Sequence, residues 1–178
     1  MNDADKVEDE LHELRFYVQR CIRYHMRRMS FFMRWSRFTA FVGVLFGSAA
    51  VASLFVNAPT AVTAAAALLV TVASAIDLVI GTGQRASLHA DLRKCYLGIE
   101  EDIMAQGIPN LESMRTMRSR IRRIEADEPP TLPVLELLAR NEVIRAIYSR
   151  EEAAQYLSNI PWYMRWTAHW IEWDTSAA

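Results

Sequence analysis

The sequence predicts an all-α membrane protein: a two-span transmembrane helical hairpin with long cytoplasmic helical extensions and a C-terminal helical segment. Three observations lead there. Residues 38–76 carry no charge. Apolar residues recur at helical spacing on both sides of that run. No stretch alternates apolar and polar residues as a strand would. With six Gly and six Pro in 178 residues, the chain has neither the turns of a β-sandwich nor the composition of a disordered protein.

The length suits one domain, or one membrane hairpin with appended helices, and leaves no room for a catalytic barrel. Twenty Lys and Arg oppose 21 Asp and Glu, a net charge of −1, which argues against nucleic acid as the main partner. Two cysteines, Cys21 and Cys95, make neither a disulfide framework nor a zinc cluster.

Residues 1–37 read as a cytoplasmic, amphipathic and basic helix. Val7, Leu11, Leu14, Val18, Cys21, His25, Met29 and Phe32 recur at steps of three or four, a coiled-coil-like seam running into the apolar region. A helix rises about 1.5 Å per residue, so roughly 20 residues cross a hydrocarbon core of about 30 Å. Residues 38–56 give one such span and 60–80 a second, with a turn at 57–59 where Pro59 ends one helix and admits the next. The soluble alternative is a helical hairpin buried in a bundle. Against it, neither span has the polar stripe of a soluble core helix.

Residues 81–106 extend the second span into the cytoplasm, with Leu88, Leu92, Cys95, Ile99 and Ile103 as their seam. Gly81-Thr82-Gly83 is expected to bend this rod and Gly107-Ile-Pro to stop it. Residues 107–178 supply further cytoplasmic helices. One is expected at 111–126 and one at 134–148, separated by a stiff Pro-rich linker. Ser149 to Glu152 reads as a capping box, and Pro161 opens a Trp-rich final helix.

Charge sets the orientation. Arg20, Arg23, Arg27, Arg28, Arg34 and Arg37 precede the first span, and Arg85, Arg93 and Lys94 follow the second. The intervening turn has no charge. By the positive-inside rule both termini are cytoplasmic. The acidic start ahead of the apolar run argues against a cleaved signal peptide. The inner membrane of a bacterium is the expected location, and both cysteines are expected as thiols.

The search for chemistry returns little. Glu8 and His12 share a helix face without a second ligand pair, and His89 and Asp91 fall on different faces. There is no phosphate loop, no nucleophile triad and no Cys-x-x-Cys. No catalytic residue, metal or cofactor is expected.

Packing and lipid signals are stronger. Gly43 and Gly47 form one small-residue face and Ala67, Thr71 and Ala75 another. They serve packing within one hairpin, association between chains, or both. Asp77 lies about 26 Å from the tip, near the inner hydrocarbon edge. It reaches the headgroups or Arg37, or it faces a bundle interior where a ring of carboxylates would favour cations. Arg27, Arg28, Arg34, Arg37 and Trp35 form an expected lipid collar. Trp162, Trp166, Trp170 and Trp173 form a helical stripe, either packed on the rods or lying among headgroups. The arginines of 115–123 read as a solvated face, or as a site for an acidic partner or a nucleotide phosphate.

One arrangement resembles a known family. A basic-aromatic lead-in (Arg23-Tyr24-His25, Arg27-Arg28, Trp35) precedes two spans with a minimal turn. Ile124-Glu-Ala-Asp-Glu-Pro-Pro130 and Asn141-Glu142 follow a helical extension. This resembles the SLATT-type two-transmembrane proteins of bacterial conflict systems. The resemblance implies a homo-oligomeric membrane effector that forms pores when a separate nucleotide-generating or nucleotide-sensing partner signals infection. The other reading is a non-conducting anchor whose cytoplasmic helices recruit a soluble partner.

Overall fold

The computed structural model describes residues 3–55, 59–106 and 110–175. Among them are seven α-helices and no strand. They are α1 (Asp3–Phe55), α2 (Thr60–Ile80), α3 (Thr82–Gln106), α4 (Leu111–Ala126), α5 (Pro133–Ile147), α6 (Arg150–Tyr156) and α7 (Trp162–Thr167). Val56, the first two residues of the expected turn (Asn57 and Ala58) and the expected stop at Gly107-Ile-Pro lie outside the described residues. The chain divides into two units, 1–28 with 89–178, and 29–88.

In the first unit, the start of α1 and the body of α3 run antiparallel. Gln19 Nε2 donates to Glu100 at 2.9 Å, while His25, further along α1, meets His89 earlier on α3. Leu14, Val18 and Cys21 of α1 pack with Tyr96, Ile99 and Ile103 of α3, and Met114, Met117 and Ile121 of α4 close the core. Each aliphatic side chain buried this way contributes roughly 1.5–3 kcal/mol of transfer free energy. Helix α4 starts where its cap dictates: Asn110 Oδ1 accepts from the Ser113 amide at 2.8 Å.

Pro133 opens α5 at the position where a missing N–H costs nothing. A second core gathers Tyr24, Val134, Leu135, Ala139, Ile160 and Ala168. The expected capping box forms at α6, with Ser149 and Glu152 exchanging side-chain and backbone bonds. Asn141 then fastens the following loop to α5. Its amide donates to the Ser158 carbonyl at 2.8 Å and accepts from the Ser158 amide at 3.1 Å.

The second unit holds the rest of α1, all of α2 and the first turns of α3. Phe32, Thr39 and Val42 are buried on α1, but no residue of α2 is buried. Gly81 ends α2 in the left-handed conformation (φ 62°), with its N–H bonded to the Asp77 carbonyl at 2.9 Å. The expected bend is therefore a single residue. Among the described residues one helical stretch, Thr60–Ala105, is long and apolar enough to cross a membrane, and none of its apolar window is buried.

The C-terminal segment departs from expectation. α7 ends at Thr167, Ala168 is fully buried, and the chain turns before Trp170. Trp173 leaves the expected stripe and packs on the second core, its Nε1 donating to Thr167 Oγ1 at 2.9 Å and its ring edge-on to Tyr163. A four-tryptophan helical stripe does not form: α7 stops at Thr167, Ala168 is buried, and Trp173 packs partly buried on the second core.

Candidate functional site

The most distinctive feature of the first unit is a buried polar cluster where α1, α3 and the linker before α5 converge. His25 and His89 are 1% and 2% exposed, and Tyr96 is fully buried. The two imidazoles approach Nδ1 to Nδ1 at 3.0 Å. His25 Nε2 lies 3.2 Å from Glu128 Oε1, and Tyr96 donates its hydroxyl to the same oxygen at 2.6 Å. Tyr96 stacks on His25 with ring centroids 5.7 Å apart, and Tyr24 stands edge-on to His25 at 5.3 Å.

Electrostatics fix most of the charge states. Burial opposes the charged form of the Glu128 carboxyl. The hydrogen bonds from His25 and Tyr96 outweigh it, so the group is held below its ordinary value and stays a carboxylate. Burial, reinforced by the neighbouring Cys21 and Glu128, pushes the Tyr96 hydroxyl far up. Tyr96 is thus a permanent donor. Burial also pushes the Cys21 thiol up to about 11, which leaves it protonated and a poor nucleophile. Tyr17, raised by burial and by its hydrogen bond to Glu125, likewise stays neutral.

This is a connected network of buried donors and acceptors. Its rings are almost closed to solvent, while Glu128 at its edge is partly exposed. The cleft of about 720 Å³ on the same unit is lined by Glu8, His12, Arg15, Phe16, Arg23 and Met104, among others, and does not include it. Among the described residues no three His, Cys, Asp or Glu side chains converge as a metal would need.

His25 was legible as a seam position, whereas His89, Tyr96 and Glu128 were not. The expected α3 seam took Leu88 and Cys95, both of which prove exposed. The observed seam is His89, Leu92, Tyr96, Ile99 and Ile103. Its steps of 3, 4, 3 and 4 become visible once aromatic and imidazole side chains are admitted as core residues.

The expected lipid collar divides. Arg28 is a correction: it is 9% exposed, and its guanidinium donates to the His169 carbonyl at 3.0 Å, so it faces protein. Arg27 is half-buried and ion-paired with Glu142. Arg34 and Arg37 are exposed, and Trp35 lies beside Phe38 with ring centroids 6.1 Å apart. Trp162, Trp166 and Trp170 are 78%, 85% and 51% exposed.

In the second unit, a Cβ added at Gly43 or Gly47 would meet no described atom within 4 Å. Ala67, Thr71 and Ala75 are exposed, and the Thr71 hydroxyl donates within its own helix, to the Ala67 carbonyl at 2.8 Å. Neither small-residue face is used for close packing within the described chain. The Asp77 carboxylate accepts from the buried Thr82 hydroxyl across the Gly81 break. The bond closes the break between α2 and α3.

No family model, curated protein or solved structure matches the chain.

Proposed function

We propose that the protein is a non-enzymatic, homo-oligomeric effector of the bacterial inner membrane. It is anchored by a hairpin of 38–56 and 60–80 with both termini cytoplasmic, and it compromises the bilayer when a separate sensor or nucleotide-signalling partner engages its cytoplasmic helices. The observation that carries this reading is the apolar surface of the 29–88 unit. Phe41 and Val44 on α1 are 62% and 71% exposed, and Leu78 and Val79 on α2 are 84% and 85% exposed. A soluble monomer does not leave helices of this composition in water. A bilayer removes that surface from water, and basic residues precede the first span and follow the second while the turn between them has none.

The open faces at Gly43 and Gly47 and at Ala67, Thr71 and Ala75 then serve contact between chains, since small residues let helices approach closely in lipid. Asp77, the one acid in either span, would line the assembly's interior. The resemblance to SLATT-type effectors agrees with this arrangement.

The anchor reading is favoured by one observation. Thr82 already occupies the Asp77 carboxylate, so that residue has a structural reason to be there. Induced expression in bacteria loaded with a potential-sensitive dye separates the two readings. The effector collapses membrane potential, Asp77→Leu abolishes the collapse, and Thr82→Val preserves it. An anchor leaves the potential intact, or the two substitutions act alike through loss of the cap.

A further inference from the structure

The start of α1 carries an acidic stripe and α4 a basic one. Asp9 and Glu13 stand one turn apart on α1, and Arg115, Arg118 and Arg122 follow at steps of three and four on α4. Asp9, Glu13, Arg115 and Arg122 are exposed, and none is ion-paired among the described residues. Within the chain, Arg118 donates to Glu10 at 3.1 Å and joins the two helices.

Two contacts fix how the helices lie against each other. Glu10 meets Arg118 and Tyr17 meets Glu125, each across 108 residues of sequence. The helices therefore run in the same direction, with Asp9 level with Met117 and Glu13 level with Ile121. Along the axis, Asp9 is within one residue's rise, about 1.5 Å, of Arg118, and Glu13 is as close to Arg122. A cleft of about 440 Å³ takes in Glu13 and Arg118, so both stripes open on one surface. Further along α1, Arg20 lies over the Tyr17 ring, 5.0 Å from its centroid.

We infer that this surface is a self-docking face: a second copy of the chain seats its acidic stripe on the arginines of α4 and receives the first copy's acids on its own. Adjacent stripes of opposite charge complement themselves under a two-fold rotation. With the axis parallel to α1, heights along the helices are unchanged. Asp9 of one copy then falls opposite Arg118 of the other, and Glu13 opposite Arg122. An axis across the helices would set acid against acid and arginine against arginine. The favoured axis also leaves both α1 helices pointing the same way, as two chains entering one bilayer from one side require. Exposed ion pairs hold little individually, so this contact sets which faces meet and in what register.

The inference rests on the homo-oligomeric reading proposed above, and the test separates the two. Full-length chains carrying Cys95→Ser are co-expressed with two tags, one with Glu13→Cys and the other with Arg122→Cys. Their membranes are then oxidised with copper phenanthroline, the buried Cys21 thiol being left in place. A disulfide dimer joining both tags is expected at about tenfold or more the yield of either variant alone, since like positions sit on diagonally opposed helices beyond disulfide reach. In a chain carrying both substitutions, covalent dimers and nothing larger are expected, because reciprocal docking uses both stripes of each copy. Dimers formed equally well by the single variants, or a ladder of larger species, overturn the proposal. If no covalent dimer forms, the mass in mild detergent decides what has failed. An oligomer then overturns this interface alone, and a monomer overturns the homo-oligomeric reading with it.

Discussion

Arg27 on α1 is ion-paired with Glu142 on α5, two residues far apart in sequence and each about one-third exposed. Beside it, the Tyr24 hydroxyl accepts the Leu132 amide at 3.1 Å, His25 holds Glu128, and Arg28 binds the His169 carbonyl. Within little more than one helical turn, α1 thus clasps the linker, α5 and the C-terminal segment. Two of the arginines that look like a lipid collar in the sequence, Arg27 and Arg28, are here fastenings of the bundle. The cause is local: a turn of helix with polar side chains on several faces has several elements to bind.

Glu128 takes part in one of those fastenings, through His25, and also accepts from Tyr96 of α3. Replacing it with Ala leaves His25 and Tyr96 buried without their partner, at an expected cost of about 2–3 kcal/mol. Because its folded pKa is depressed, the carboxylate stabilises the protein above its ordinary value of 4.5, and that contribution is lost as the pH falls through and below it. Chemical denaturation of wild type and Glu128→Ala at pH 7 and pH 4 checks both. The difference between the two proteins should shrink at pH 4.

Gly81 sits at φ 62°, where a side chain is disfavoured. A Cβ there would meet only the far end of Gln84, at 3.4 Å, so the cost lies in the backbone. Gly81→Ala is expected to destabilise by about 1–2 kcal/mol and Gly81→Asn by less. Thermal melts in mild detergent should rank them in that order.

Gly43 and Gly47 border open space, so isoleucine at both should leave the folding yield of the single chain unchanged. If that face joins chains, the double variant should shift the mass in lipid nanodiscs toward monomer. A fall in yield with unchanged assembly would mean the face packs within the hairpin instead.

The exposed tryptophans give a depth measurement. In a Trp35→Phe background, lipids brominated near the headgroup should quench Trp162, Trp166 and Trp170, while Trp173, packed against Tyr163, should be spared. Uniform lack of quenching would remove this segment from the interface.

How legible the chain was depends on the range of the signal. Helix α4 and the capping box at Ser149 are written in neighbouring residues and appear where the sequence places them, while α5 opens at Pro133, one residue ahead of its expected start. The pairing of His25 with His89 is not local. His89 was left out of the seam because its apolar neighbour Leu88 fitted the spacing equally well. The last helix was overextended for a related reason: nothing near Thr167 marks a stop in the sequence, and the second core on which Ala168 and Trp173 pack is built from residues far along the chain. Arg28 was misplaced because its partner is a backbone carbonyl far along the chain, which no spacing rule anticipates.

Both functional readings require that the 29–88 unit lie in a bilayer. Alkaline carbonate extraction of membranes from cells making the full-length chain tests that most directly. The account predicts that the protein stays in the membrane pellet and floats with lipid on a density gradient, because the exposed apolar surface of α1 and α2 has no other solvent. Recovery in the carbonate supernatant would contradict it.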